Sequence, residues 1–161
     1  MVGANPASYV RSALPEDYED VARLNREVQS LHLDRYPSLF KEPSDSTLTR
    51  EAYSGWLESG CVFVAIEDGR VAGYLQARVV EREETPYRHA GRILYVDQLC
   101  VASTSQRRGH GGELLEAAKQ RSRDLAISRI ELDTWALNRE ARGFLEAEGF
   151  EEMVIRLARD E

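Results

Sequence analysis

The chain has 161 residues, 42% hydrophobic and 30% charged, with 28 acidic residues against 21 basic and a net charge of -7. No apolar run approaches the roughly 20 residues that cross a bilayer, and the acidic balance argues against nucleic acid, whose phosphates call for a basic stripe. Cys61 and Cys100 each lie in an apolar run, and His32, His89 and His110 are scattered without ligand spacing, so neither a disulfide nor a metal is expected. The first residues (MVGANPASYV) lack a basic segment followed by an apolar one, which makes a cytoplasmic location the expectation. The length fits one domain over residues 1–161.

In chain order, residues 9–13 read as a short strand. Leu14-Pro15-Glu16-Asp17 then opens a helix, with proline in the first turn and acids at the positive end of the dipole. Val21, Leu24 and Val28 line one face of it. Residues 32–45 carry two prolines and read as irregular, followed by an amphipathic helix over residues 47–59. Residues 61–66 and 71–80 are two strands joined by Glu67-Asp68-Gly69-Arg70, and Asp-Gly between apolar runs signals a hairpin. Residues 81–90 are polar, and the acids Glu81, Glu83 and Glu84 read as a solvated edge. Residues 93–101 (ILYVDQLCV) are apolar on both faces, as in a strand flanked on both sides. A helix over residues 111–125, a strand over 129–135, a helix over 138–148 and a closing strand over 150–158 complete the prediction.

Between the strand 93–101 and the helix after it lies Gln106-Arg107-Arg108-Gly109-His110-Gly111. A helix N-terminus exposes unpaired N–H groups and the positive end of its dipole, and glycine lets a phosphate oxygen come close to them. Arg107 and Arg108 add charge. A P-loop would need Lys-Ser or Lys-Thr after the last glycine, where Gly112-Glu113 stands instead. A dinucleotide fingerprint would need glycine or alanine at position 114, which is Leu114. A flexible turn that binds nothing is the competing reading.

The surviving pattern, Gln/Arg-x-x-Gly-x-Gly/Ala after a buried strand, resembles that of the GCN5-related N-acetyltransferase family. The resemblance extends to Val96-Asp97-Gln98-Leu99-Cys100-Val101 as the family's fourth strand and to Ile130-Glu131-Leu132-Asp133-Thr134-Trp135 as its fifth. Asn138-x-x-Ala141-x-x-Phe144 followed by Gly149-Phe150 matches the last helix and turn. A weaker match, Val10-Arg11-Ser12-Ala13 with Pro15-Glu16-Asp17, reaches the N-terminus.

The resemblance implies an α/β fold, a mixed and mostly antiparallel sheet with helices on both faces. It implies acetyl transfer from acetyl-coenzyme A to a primary amine, on a small molecule, a peptide or protein N-terminus or a lysine, by direct attack in a ternary complex. A non-catalytic acyl-coenzyme A-binding module is the alternative. By resemblance, the amides of Arg108, Gly109, His110, Gly111 and Gly112, preceded by Gln106 and Arg107, cradle the pyrophosphate. The backbone of Leu99, Cys100 and Val101 holds the pantetheine arm as an added strand, and Asn138 touches that arm. The thioester carbonyl would meet the amide of Cys100 or Leu99. A homodimer is compatible with all of this.

The residues leave several roles open. Asp97 stands where family members carry an acid, and it would accept the amine's proton, attract the cation or sit as a solvated charge. The Cys100 thiol is expected to pack rather than attack. Asn138 is also a good N-cap. Leu145 departs from the family, which usually has a tyrosine there to protonate the leaving thiolate; His110 stands where a small aliphatic residue is common. Glu113 puts a charge near the expected phosphate. The chain's end at Glu161 leaves no room for the second strand of the family's closing hairpin.

Overall fold

The computed structural model describes residues 8–160. Residues 1–7, on which the reading of a missing leader rests, and Glu161 lie outside them. The elements are β1 (Ser8–Ser12), α1 (Tyr18–Arg35), α2 (Arg50–Glu58), β2 (Val62–Glu67), β3 (Arg70–Arg82), β4 (Gly91–Val101), α3 (His110–Asp124), β5 (Ile130–Leu132) and α4 (Arg139–Ala147). A short 3-10 turn, Pro15–Asp17, precedes α1, and another, Ser103–Ser105, follows β4. No helix among the described residues is long and apolar enough to cross a membrane.

The strands form one sheet in the order β1-β2-β3-β4-β5, antiparallel throughout except for the parallel pair β4 and β5. Each face of that sheet is covered. Leu114, Leu115 and Ala118 of α3 and Leu145 of α4 pack on Phe63, Ala65, Leu75, Ala77, Leu94 and Val96. On the other face Val21 and Leu24 of α1 and Tyr53 of α2 pack on Val64, Ile66, Tyr74 and Cys100. Strand residues alternate between these two layers, as a pleat with two buried faces requires. The expected architecture is therefore the observed one.

Local signals explain most element ends. Asp68 (φ 50°) and Gly69 (φ 76°) both adopt left-handed geometry, the conformation that turns β2 back into β3. The Thr49 side chain accepts the Ala52 N–H at 3.1 Å and caps α2, while Asn138 accepts the Ala141 N–H at 3.3 Å and caps α4. Asp17, only 6% exposed, accepts two bonds from the Arg11 guanidinium (2.7 and 2.9 Å) and one from the Leu14 N–H (2.8 Å). It thereby ties the edge strand β1 to the start of α1.

Three expectations need correction. Helix α1 continues to Arg35, through residues expected to be irregular, because its last carbonyls are still matched by the Tyr36 N–H to His32 at 2.8 Å. Strand β5 spans three residues rather than seven. Residues 150–158 form no strand: Met153, Val154, Ile155 and Leu157 are exposed, and the segment is held by Arg142 to Glu152 and by Arg129 to the Met153 sulfur. An apolar run becomes a strand only beside an edge long enough to pair with it, and β5 is too short to offer one.

Candidate functional site

The β4 register sets the site. Gln76 pairs with Gln98 but Ala77 pairs with Val96, so Asp97 is the extra residue of a β-bulge. The bulge puts Asp97 and Gln98 on the same side of the strand. Gln98 accepts from the Asn25 side chain of α1 at 2.8 Å and from the Tyr74 hydroxyl, and Asn25 also donates to Tyr74 at 3.0 Å. Beyond the bulge, Leu99 and Val101 pack with the α3 layer and Cys100 with the α1 layer.

Strand β5 covers β4 only from Leu94 to Val96, opposite Ile130 to Leu132. Past that point, among the described residues, the β4 edge over residues 97–101 has no strand beside it on that side. The Ala102 N–H donates to the Ala72 carbonyl at 2.7 Å. Because N–H groups alternate in direction along an antiparallel ladder, Cys100 points its N–H at Tyr74 of β3. Leu99 and Val101 point theirs to the open edge. Of the two amides considered for the thioester, Leu99 is thus the one left without a strand partner.

After β4 the chain passes through the 3-10 turn Ser103–Ser105 and the glycine turn and enters α3. Its N-cap, Gly109, has φ 94° and makes no side-chain capping bond, and the first helical bond is Glu113 N–H to Gly109 O at 3.0 Å. The amides of His110, Gly111 and Gly112 accordingly have no helical carbonyl to donate to. A Cβ on Gly109 would meet nothing within 4 Å, whereas one on Gly111 would come within 3.1 Å of the Phe144 ring of α4. Gly109 thus borders open space, and Gly111 serves helix packing as well.

The side chains around this turn do not behave as charge suggested. Arg108 donates to Glu67 at 2.8 Å, Arg107 lies 3.9 Å from Glu140, and Gln106 folds back on the Val101 carbonyl at 3.3 Å. His110 is 1% exposed, 3.5 Å from Glu67 and 3.6 Å from Glu113, so the Glu113 carboxylate is turned toward the imidazole. Glu67, Ser105 and Asn25 were not singled out from the sequence. In the sequence Glu67 belongs to a hairpin turn, and no local pattern separates that role from its contacts with the glycine turn.

Asp97 receives Arg78 Nε at 2.9 and 3.2 Å and Gln76 Nε2 at 3.3 Å. It is therefore a paired carboxylate at the rim, not an isolated one. Nearby, burial, helped by a hydrogen bond to Asp133, pushes the Tyr95 phenol up to about 12. His32, Tyr36, Phe40 and Trp135 form an aromatic wall, with Tyr36 and Trp135 centroids 4.6 Å apart and His32 and Phe40 4.9 Å apart. Burial, with the charge of nearby Arg35, lowers the His32 pKa from its ordinary value.

The Cys100 thiol is buried and donates to the Leu24 carbonyl at 3.7 Å; burial pushes it up to about 12. A thiol at that value holds almost no thiolate at neutral pH. Cys100→Ala is expected to keep turnover within about twofold of wild type, since covalent catalysis needs the thiolate. Loss of more than tenfold in a folded variant would return the thiol to the chemistry. Leu145 is 8% exposed and faces the core rather than the open edge.

The model of the acetyltransferase (GNAT) family matches residues 25–150. The chain belongs to this family. An uncharacterized N-acetyltransferase in the pepI 3′ region of Lactobacillus delbrueckii subsp. lactis is 27% identical over 132 residues, covering 79% of this chain and 75% of the relative. Among solved structures, a tetramutant of the BH1408 protein from Bacillus halodurans superposes with a TM-score of 0.83 at 23% identity, over 94% of this chain and 99% of that one. The aminoglycoside N-acetyltransferase AAC(6')-Iy, in complex with CoA, superposes with a TM-score of 0.74 at 16% identity, over 100% and 99%. At these identities the structural matches establish the GNAT fold.

Proposed function

We propose that this GNAT protein binds acetyl-coenzyme A along the open edge of β4 and transfers its acetyl group to a primary amine. The observation that carries the reading is the presence of two sets of amides without a sheet or helix partner, Leu99 and Val101 on the strand and His110 to Gly112 at the helix start. The thioester and pantetheine carbonyls of acetyl-coenzyme A suit the first, and the coenzyme's pyrophosphate suits the second. Gly109 leaves the space a phosphate needs. Asn138, already capping α4, is the side chain we place against the arm.

In this reading the Leu99 N–H polarises the thioester carbonyl and stabilises the oxyanion, a contribution of ~3 kcal/mol for a preorganised donor. The amine approaches from the α1 face, which bears Tyr95, Asp97 and Gln98. Asp97 attracts the ammonium and relays its proton, exchanging its hold on Arg78 for the substrate. Coenzyme A leaves as a thiolate, and with a thiol pKa near ~8.5 by analogy with cysteine it departs near neutral pH without a dedicated acid. Leu145 in place of tyrosine is compatible with that.

Release of free thiol from acetyl-coenzyme A, measured against a panel of polyamines, aminoglycosides, amino acids and peptides, tests the proposal. Amine-dependent release is expected, and Asp97→Asn is expected to lower kcat at least about tenfold, ~1.4 kcal/mol of barrier, with coenzyme affinity kept. Tight coenzyme binding without turnover of any amine would instead favour an acyl-coenzyme A-binding module.

A further inference from the structure

We infer that Glu67, the last residue of β2, is a positioning residue that holds the glycine turn in the shape that presents its amides to the coenzyme's pyrophosphate. The inference rests on the coenzyme reading above. Glu67 is fixed at its base, paired through the sheet with Arg70 on one side and Ser8 on the other. Its side chain is only 10% exposed. Three side chains of the turn and helix start converge on its carboxylate: the Ser105 hydroxyl donates at 2.8 Å, the Arg108 guanidinium donates at 2.8 Å, and His110 Nε2 lies at 3.5 Å.

The turn needs such an anchor. Arg107, a residue with a Cβ, has φ 60°, and Gly109 has φ 94°, so the chain twice enters left-handed geometry within three residues. Non-glycine residues take that conformation only where the surroundings hold them in it. Glu67 grips the turn on both sides of Arg107, at Ser105 and at Arg108. A carboxylate so close to an anion site would ordinarily weaken anion binding. Here Arg108 neutralises it, which also means that the Arg108 guanidinium is spent on Glu67, and recognition falls to the backbone amides.

The positioning role makes a selective forecast, because coenzyme A carries a pyrophosphate and pantetheine does not. Calorimetry on the folded Glu67→Ala protein is expected to show coenzyme A binding weakened about tenfold. Pantetheine binding, followed by chemical-shift titration, is expected to stay within about twofold of wild type. Glu67→Gln, which keeps an acceptor oxygen without the charge, is expected to fall between. Should Glu67→Ala fold poorly, the Ser105→Ala/Arg108→Gln double variant releases the same clamp from the other side and is expected to give the same selective loss. Unchanged coenzyme A affinity would overturn the inference. Equal loss for both ligands would overturn it too, as the mark of a general structural role. The underlying coenzyme reading fails separately, if Gly109→Val leaves coenzyme A affinity intact.

Discussion

Gly109→Val is expected to weaken coenzyme A binding by at least about a hundredfold, or ~2.7 kcal/mol. Two effects act together. The added side chain enters open space at the start of α3, where the proposal puts a phosphate oxygen, and it does so on a residue whose φ of 94° a β-branched side chain strongly disfavours. Gly111→Val is a poorer test, since its Cβ would already press on the Phe144 ring and disturb the packing of α3 on α4. Calorimetric titration, with thermal unfolding to verify the fold, measures the outcome. A folded Gly109→Val protein that binds coenzyme A as tightly as wild type would remove the pyrophosphate from this turn.

The largest expected loss of stability lies far from the site, at Asp17. Asp17→Ala removes both oxygens that hold Arg11 and the Leu14 N–H, and breaking a pair this buried costs about 3 kcal/mol, the low end of the usual range because Arg11 keeps 31% of its side chain exposed. Burial alone would push the Asp17 carboxyl up. The Arg11 guanidinium and the Leu14 N–H outweigh it and hold the carboxyl below its ordinary value of 3.8. A depressed native pKa stabilises the fold fully above the unfolded value, and the contribution fades as pH falls through 3.8 toward the lower native one. Urea unfolding at pH 7 and at pH 3 is therefore expected to separate wild type from Asp17→Asn widely at the first and less at the second. Equal separation at both would mean that the Asp17 charge does not set it.

What the chain alone decided is local. Asp68-Gly69 marked the β2–β3 turn, Asn138 marked the start of α4, and Gly109 marked the break before α3, because left-handed backbone and helix caps depend on a few adjacent residues. Alternating and helical apolar patterns placed nine of the ten expected elements. The tenth, over residues 150–158, carries a strand's composition, yet a strand also needs an edge, and β5 proved only three residues long. Tertiary structure alone decided the partners. The bulge at Asp97 sets which side chains face α1 and which amides face the gap, and no feature of the sequence locates a one-residue shift in register. Arg78 meets Asp97 across that register, and Glu67 meets Arg108 across 41 residues. Charges that the sequence shows as isolated are neutralised in the fold because the sheet brings distant side chains within hydrogen-bonding reach.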